Sequence, residues 1–144
     1  MFKTILVAYD GSENAKKAFD SAIELAQKFQ SKLVVVGVVE VPVLNTYGAF
    51  ARTCNVIEVV KEIRAKVSAD IERCVGLARE KGLDADGKTL EGDPATEILR
   101  HSKEINADLI VTGCRGLSTW KQLLLGSVSH KVVSESKAST MVVK

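Results

Sequence analysis

The chain has 144 residues, 46% of them hydrophobic, which is enough to bury the core of one compact domain. Its 20 Lys and Arg residues against 18 Asp and Glu leave a net charge of +2 with the signs mixed along the chain, so neither a nucleic-acid partner nor a membrane-surface partner is supported. Three cysteines without a C-x-x-C pair and only two histidines exclude a disulfide framework and a His-rich metal site.

The start of the chain carries no sign of export. Met1-Phe2-Lys3 leads straight into a strand-like segment, without a positively charged leader and a cleavage site. A run of about eighteen apolar residues, the length of a membrane span, does not occur. We therefore expect one domain over residues 1–144, in the cytoplasm and with reduced thiols.

The first elements are predicted to be a strand, a helix and a second strand. Ile5 to Tyr9 is short, apolar and β-branched and runs into the turn signal Asp10-Gly11-Ser12, in which Ser12 is suited to cap a helix. Apolar residues then recur at steps of three and four, which predicts a helix ending near Gln30: Ala15, Ala18, Phe19, Ala22, Leu25, Ala26 and Phe29. The run from Leu33 to Val39 is continuously apolar, as in a strand buried on both faces of a parallel sheet.

A long loop and the longest helix follow. From Pro42 to about Asn55 the chain has no periodicity, which is typical of a mobile or functional loop. Helical spacing then returns and stops at Gly82, with these residues on one stripe: Val56, Val60, Ile63, Val67, Ile71, Cys74, Val75 and Ala78. Cys74 on that stripe is expected to be a core residue.

The second half continues the alternation of strands and helices. Asp84 to Leu90 alternates only weakly, but its neighbours require a strand there. Asp93-Pro94 is a helix start signal, and Ile98, Leu99 and Ile105 give that helix a buried side. The remaining predicted elements are a buried strand from Asp108 to Thr112 that ends at Gly113, a helix from Ser127 to about Ser136, and a terminal strand from Ser139 to Val143.

The predicted order βαβαβαβαβ indicates an α/β fold. We expect a single-domain, doubly wound open sheet of five mainly parallel strands with about four helices, similar to a Rossmann fold. In such sheets a ligand binds at the carboxyl ends of the strands, where the direction of chain progression across the sheet reverses. Asp10 and Gly113 both follow strands at such ends.

The stretch from Gly113 to Ser127 is suited to phosphate binding. Its glycines allow backbone N–H groups to approach a ligand, and the start of the following helix adds unpaired donors and a positive dipole end. Ser127 and Ser129 offer hydroxyl donors. The spacing is neither that of a Walker A motif nor G-x-G-x-x-G.

The spacing does match another pattern. Gly113, two residues, Gly116, nine residues and Gly126-Ser127 resemble the ATP-binding signature of the universal stress protein family. The start, Ile5 to Ser12, and the end, Ala138 to Val143, also resemble that family's first and last strands. The resemblance covers essentially the whole chain and implies an adenine nucleotide α-hydrolase-like fold. Cys114 departs from the family's usual small hydroxyl residue at its position.

The resemblance implies a set of nucleotide contacts and a bound Mg²⁺. ATP, or another adenine nucleotide, is expected across the ends of the first and fourth strands. Asp10 would face the ribose or the metal ion, and the ribose would lie near Gly113. The adenine would meet the main chain at Val38. The phosphates would meet Gly116, Gly126, Ser127 and Val128, with Ala8 and Thr112 lining the pocket and Arg115 and Ser129 as further contacts.

Each of these residues also has a simpler structural interpretation. The spaced glycines serve turns in many proteins, and a carboxylate such as Asp10 often closes a turn or caps a helix. Arg115 in an exposed loop is commonly solvated. Cys114, beside Arg115 and backbone donors, would be a redox sensor if its thiolate were stabilised.

We therefore interpret the sequence as an ATP-binding regulatory or stress-response protein, with no evident catalytic base for phosphoryl transfer. Thr140 to Val143 should lie at an open sheet edge, which predicts a homodimer joined through it. The alternative is an enzyme of the adenine nucleotide α-hydrolase-like group, with slow ATP hydrolysis or adenylate transfer. For such an enzyme the Pro42 to Asn55 loop offers only Tyr47, Arg52 and Cys54. A third alternative is an interaction module that has lost nucleotide binding.

Overall fold

The computed structural model describes residues 1–40, 55–116 and 125–144. These residues form, in chain order, β1 (Thr4–Ala8), α1 (Glu13–Phe29), β2 (Lys32–Val39), α2 (Asn55–Glu80), β3 (Ala85–Glu91), α3 (Pro94–Glu104), β4 (Leu109–Gly113), α4 (Ser127–Glu135) and β5 (Ser139–Val143). The order of elements is the predicted one. The loop predicted from Pro42 to Asn55 lies, apart from Asn55, outside the described residues, and Tyr47, Arg52 and Cys54 lie there with it.

The strands pair in parallel in the order β3-β2-β1-β4-β5. The chain starts in the middle with β1, adds β2 and β3 on one side, and then crosses over to add β4 and β5 on the other. The crossover places the switch point between β1 and β4, where their carboxyl ends diverge. The predicted α/β fold with a doubly wound parallel sheet is confirmed.

Helices cover both faces of this sheet because successive strand residues point to opposite sides. On one face, Ile5 and Val7 of β1 pack in a buried cluster with α1 and α2. On the other face, Leu6 packs in a second cluster with α3 and with Val132 of α4. The continuously apolar strands are thus buried on both sides, as their composition predicts.

Side chains cap two of the helices as predicted. Ser12 Oγ accepts a hydrogen bond from the backbone N–H of Ala15 at 3.1 Å, at the start of α1. Asp93 accepts one from the N–H of Thr96 at 3.0 Å, at the start of α3, and Pro94 takes the first helical position. These bonds satisfy donors that a helix leaves unpaired at its first turn.

The apolar stripe of α2 is buried only in its second half. Ile71, Cys74 and Val75 are buried, but Ile63 of the same stripe is 39% exposed. The helix has 26 residues, or about 39 Å, whereas the eight residues of β2 span about 26 Å, so α2 is longer than the sheet that it covers. Within the described part of the chain no helix, α2 included, has the length and apolar content needed to cross a membrane.

The third strand and the third helix differ slightly from the sequence prediction. β3 runs one residue later than predicted, and only Ala85 and Leu90 of it are buried. Its weak alternation follows from its place at the sheet edge, where charged side chains remain in solvent. Ile105 lies just past α3 as its C-cap and is half-buried against the second cluster.

Candidate functional site

The carboxylate of Asp10 lies between the end of β1 and the loop that follows β4. Its Oδ1 accepts a hydrogen bond from the backbone N–H of Ser12 at 2.9 Å. Its Oδ2 lies against Gly116, because a Cβ added to that glycine would stand 2.7 Å from it. The structure therefore brings together Asp10 and Gly116, two predicted site residues that are 106 positions apart in the sequence.

The start of α4 packs against the same loop. The N–H of Gly126 donates a hydrogen bond to the carbonyl of Cys114 at 2.7 Å. A Cβ on Gly126 would stand 3.3 Å from that carbonyl oxygen and 3.5 Å from Cα of Arg115, so a larger residue would push the two segments apart. Glycine at this position is thus explained by a close approach of two backbones.

Within the described ranges, no side chain caps the N-terminus of α4, unlike those of α1 and α3. Its N-cap is Gly126, and the first hydrogen bond within the helix is from His130 N–H to the carbonyl of Gly126. The N–H groups of Ser127, Val128 and Ser129 precede that bond and point out of the helix end. A helix end of this kind attracts anions through its free donors and its dipole.

The hydroxyl of Ser129 is used within the fold. It is buried and donates to the carbonyl of Gly113 at 2.5 Å, and it lies 3.5 Å from Oγ1 of Thr112. The side chains of Thr112 and Ser129 therefore fix α4 to the end of β4. The hydroxyl of Ser129 is therefore occupied within the fold, and only its backbone N–H lies among the N–H groups at the start of α4.

Two other predicted residues, Ala8 and Val38, line the same side of the sheet. Both pack on the cluster under α3 and α4. β1 pairs with β2 only as far as Ala8 with Val36, and the last bond is from Tyr9 N–H to Val36 carbonyl. In a strand, backbone groups two residues apart face the same neighbour, so the N–H and C=O of Val38 point past the end of β1. Among the described residues this donor and acceptor pair has no backbone partner beyond the end of β1.

Asn14 of α1 is a neighbour of the site that the sequence patterns did not identify. Its Nδ2 donates to Sγ of the buried Cys114 at 3.3 Å, and a Cβ on Gly113 would stand 2.8 Å from the Asn14 carbonyl carbon. The thiol of Cys114 thus faces α1. Asn14 follows the N-cap by two positions, and no local signal in the sequence links it to a residue 100 positions away.

Arg115 supplies a cationic group at the site. Among the residues that the structure describes, its Nε is a buried side-chain nitrogen without a hydrogen-bond partner. A buried guanidinium nitrogen usually has an acceptor, and anions such as phosphate are the acceptors that Arg binds best. Arg115 lies between Cys114 and Gly116, directly beside the open end of α4.

The described residues contain no group of three or more His, Cys, Asp or Glu side chains that could hold a metal ion by themselves. Asp10 is the carboxylate at the site. A single carboxylate still fits Mg²⁺, because that ion commonly keeps several waters and binds proteins through one or two carboxylates together with the phosphates of a nucleotide. The donor set therefore suits Mg²⁺ carried by a nucleotide.

Two surface concavities formed by described residues lie away from these groups. One lies at the amino ends of β1 and β2 and includes Lys32 and His101, and the other lies between α2 and β3. In the first, Lys32 pairs with Asp86 at 2.6 Å, and Nδ1 of His101 lies 3.1 Å from a Glu104 carboxylate oxygen. Neither concavity contains a predicted site residue.

Comparisons with known proteins agree with the sequence pattern. A family model described as the universal stress protein family matches residues 1–144. The universal stress protein YxiE of Bacillus subtilis (strain 168) is 38% identical over 148 residues, which cover the whole of both chains.

Solved structures show the same fold. The universal stress protein UspA from Lactobacillus plantarum superposes with a TM-score of 0.84 at 23% identity, over 99% of this chain and 97% of that chain. A universal stress protein in complex with cAMP superposes with a TM-score of 0.73 at 26% identity, over 99% and 97% of the two chains.

Proposed function

The chain belongs to the universal stress protein family, and we propose that it binds an adenine nucleotide, ATP with Mg²⁺, across the carboxyl ends of β1 and β4 and acts as a nucleotide-dependent regulatory homodimer. The observation that carries the proposal is the uncapped N-terminus of α4, which lies against the loop with Gly116 and Arg115. The N–H groups of Ser127 and Val128 would bind the phosphates there.

The charges around this point complement a magnesium nucleotide. The Nε of Arg115 would gain the anionic acceptor that it lacks among the described residues. Asp10 would orient the ribose or a Mg²⁺ that the phosphates bring with them. The Asp10 carboxylate and the phosphates are both negatively charged and would lie close together. The bound Mg²⁺ would offset their repulsion.

The open backbone pair of Val38 supports an adenine base. Adenine presents a donor, its amino group, beside a ring nitrogen acceptor, and the C=O and N–H of one strand residue match that pair. Guanine presents the opposite order on the corresponding edge, so the same backbone pair would reject it. The related protein solved with cAMP holds an adenine nucleotide, in agreement with this proposal.

The two edges of the sheet favour a dimer through β5. β3 carries Asp86, Lys88 and Glu91, and charges on an edge strand discourage pairing. β5 has the sequence Ser139-Thr-Met-Val-Val143 without a charge, and its Met141 is 37% exposed. A second copy that pairs along β5 would cover this edge.

The loop that follows β4, where the phosphates are proposed to bind, is connected to β5. The N–H of Cys114, two residues before Gly116, donates to the carbonyl of Val143 in β5 at 2.7 Å. A change in the loop on nucleotide binding would therefore reach the strand that joins the two copies. Through this hydrogen bond, nucleotide binding at the loop would affect the dimer interface at β5.

A charge placed on the β5 edge is expected to prevent the dimer. In Met141→Lys, the ammonium of each copy would be buried against the other across the strand pair, so the dimer should dissociate to monomers at micromolar concentration. Analytical ultracentrifugation measures the change. Lys88→Met, which removes a charge from the β3 edge, is the control and should leave the mass unchanged. A Met141→Lys protein that stays dimeric would place the interface elsewhere.

Nucleotide binding and turnover are tested together. We expect ATP or another adenine nucleotide to be released from the purified, denatured protein and identified by mass spectrometry, and we expect calorimetric titration to show one site per chain that prefers ATP over GTP. Steady release of ADP or AMP overnight would indicate the alternative, an enzyme of the adenine nucleotide α-hydrolase-like group. Absence of binding to any adenine nucleotide would contradict the proposal and leave an interaction module.

A further inference from the structure

The turn that carries Asp10 lies beside α2, and we propose that the Asp70–Arg73 pair of α2 is a positioning element that fixes the direction of the Asp10 carboxylate. The inference rests on the proposed nucleotide site. Neither Asp70 nor Arg73 would touch the nucleotide, and both would act through the turn from Tyr9 to Ser12.

The first close approach is between Asp70 and Gly11, in the middle of the turn. Nη2 of Arg73 donates to Oδ1 of Asp70 at 2.8 Å, one helical turn away, and the Asp70 side chain is only 21% exposed. A Cβ on Gly11 would stand 3.8 Å from the other oxygen, Oδ2, which is van der Waals distance. Gly11 has a φ of +82°, in the left-handed region that favours glycine. The path of the turn depends on this conformation of Gly11.

The second contact is with the residue before Asp10. Tyr9 is 7% exposed and packs edge-to-face on Phe19 at 6.1 Å, while its N–H pairs with β2. Tyr9 also lies in the buried cluster that contains Ile71 and Cys74 of α2. Burial raises the pKa of the Tyr9 hydroxyl, and the positive charge of Arg73 acts in the opposite sense. Burial likewise raises the pKa of the neighbouring Cys74 thiol to about 11, so that group is neutral.

Tyr9 and Gly11, the two residues that α2 approaches, flank Asp10 in the chain. Asp10 itself is exposed, and its hydrogen bond to the Ser12 N–H is local to the turn. Its direction toward Gly116 therefore depends on how the backbone of Tyr9 and Gly11 is held. α2 supplies that support, with Asp70, held by Arg73, beside Gly11 and with Ile71 and Cys74 in the cluster that buries Tyr9.

A nucleotide-free measurement tests the positioning directly. In Asp70→Asn the side chain keeps its shape but loses the charge that holds Arg73. We expect the amide resonance of Ser12, which reports its hydrogen bond to Asp10, to shift in the same direction as in Asp10→Asn.

The control is Glu97→Gln on α3. Glu97 and Arg100 form a pair with the same spacing, 2.6 Å long, and the Glu97 side chain is 18% exposed and lies against Gly92 of another turn. This variant should leave the Ser12 amide unchanged. An unmoved Ser12 amide in Asp70→Asn would overturn the inference.

A double-mutant cycle tests the consequence for binding. Asp70→Asn should weaken ATP binding by about three- to fivefold in the wild-type background, the size expected for a partly exposed ion pair. It should have no effect when Asp10 is already Asn, because the two residues would act through one group. Equal weakening in both backgrounds would contradict positioning through Asp10. If the wild-type protein binds no nucleotide, the proposed function fails, and the Ser12 resonance still decides the positioning role.

Discussion

Replacement of Gly116 by valine is expected to weaken ATP binding by about 100-fold or more, which corresponds to about 2.7 kcal/mol of binding free energy. A Cβ at this position would stand 2.7 Å from Oδ2 of Asp10, so the new side chain would displace the carboxylate. It would also occupy the space beside the free N–H groups at the start of α4, where the phosphates are proposed to bind.

The protein should remain folded in this variant. The Cβ of the introduced valine would meet Oδ2 of Asp10, the tip of a flexible, exposed side chain that can rotate away into solvent. Gly116 and Gly126 therefore differ as test sites, because a side chain at Gly126 would meet the backbone of Cys114 and Arg115. A valine at Gly126 would distort the loop itself, and a loss of binding there would be harder to interpret.

Calorimetric titration of ATP in the presence of Mg²⁺ measures the effect, with thermal unfolding to show that the Gly116→Val variant is folded. The matched control is Gly76→Ala on α2, because a Cβ at Gly76 meets nothing within 4 Å. That variant should bind ATP like the wild type. If Gly116→Val also binds like the wild type, the nucleotide does not lie on this loop, and the uncapped end of α4 has another purpose.

The elements of this fold could be predicted because their signals are local. β5 was predicted at the residues where it lies, Ser139–Val143, and α4 ends one residue before the predicted end. Caps at Ser12 and Asp93 depend on neighbours three residues away, which a sequence displays directly. The doubly wound order then follows from alternation of strands and helices together with right-handed crossovers.

The half-exposed stripe of α2 shows where periodicity stops being informative. The spacing of Ile63 and Val67 relative to Ile71 is helical, and the residues do form one helix. Burial, however, depends on how far the sheet extends beneath the helix, and the strands are shorter than α2. The length of the sheet beneath α2 depends on several strands, so it cannot be predicted from the sequence of the helix alone.

The candidate site was predictable to the extent that its residues follow strands. Asp10 and Gly113 come directly after buried strands, and a parallel sheet brings such ends together. The contacts that shape the site join segments far apart in the chain, as with Asn14 and Cys114, or Asp70 and Gly11. They depend on which helix crosses which strand end, so a single sequence without its fold does not reveal them.

Gly113 illustrates this with a large expected effect on stability. The family resemblance implies a ribose near Gly113, but a Cβ there would stand 2.8 Å from the Asn14 carbonyl carbon and 3.0 Å from its oxygen. These are backbone atoms of α1 and cannot rotate away, so Gly113→Ala should force the helix off the sheet. Overpacking of this kind costs about 2–3 kcal/mol of the free energy of unfolding.

Urea unfolding followed by circular dichroism measures this loss, and two other glycines make the comparison specific. Gly76→Ala should raise stability by about 0.5–1 kcal/mol, because it improves helix propensity in open space. Gly87→Ala would meet the γ2 methyl groups of the buried, β-branched Ile71 and Val75 at 2.5 and 2.9 Å, so it should also lower stability. If Gly113→Ala is as stable as the wild type, α1 does not approach β4 this closely. Gly113 would then be needed only for nucleotide binding.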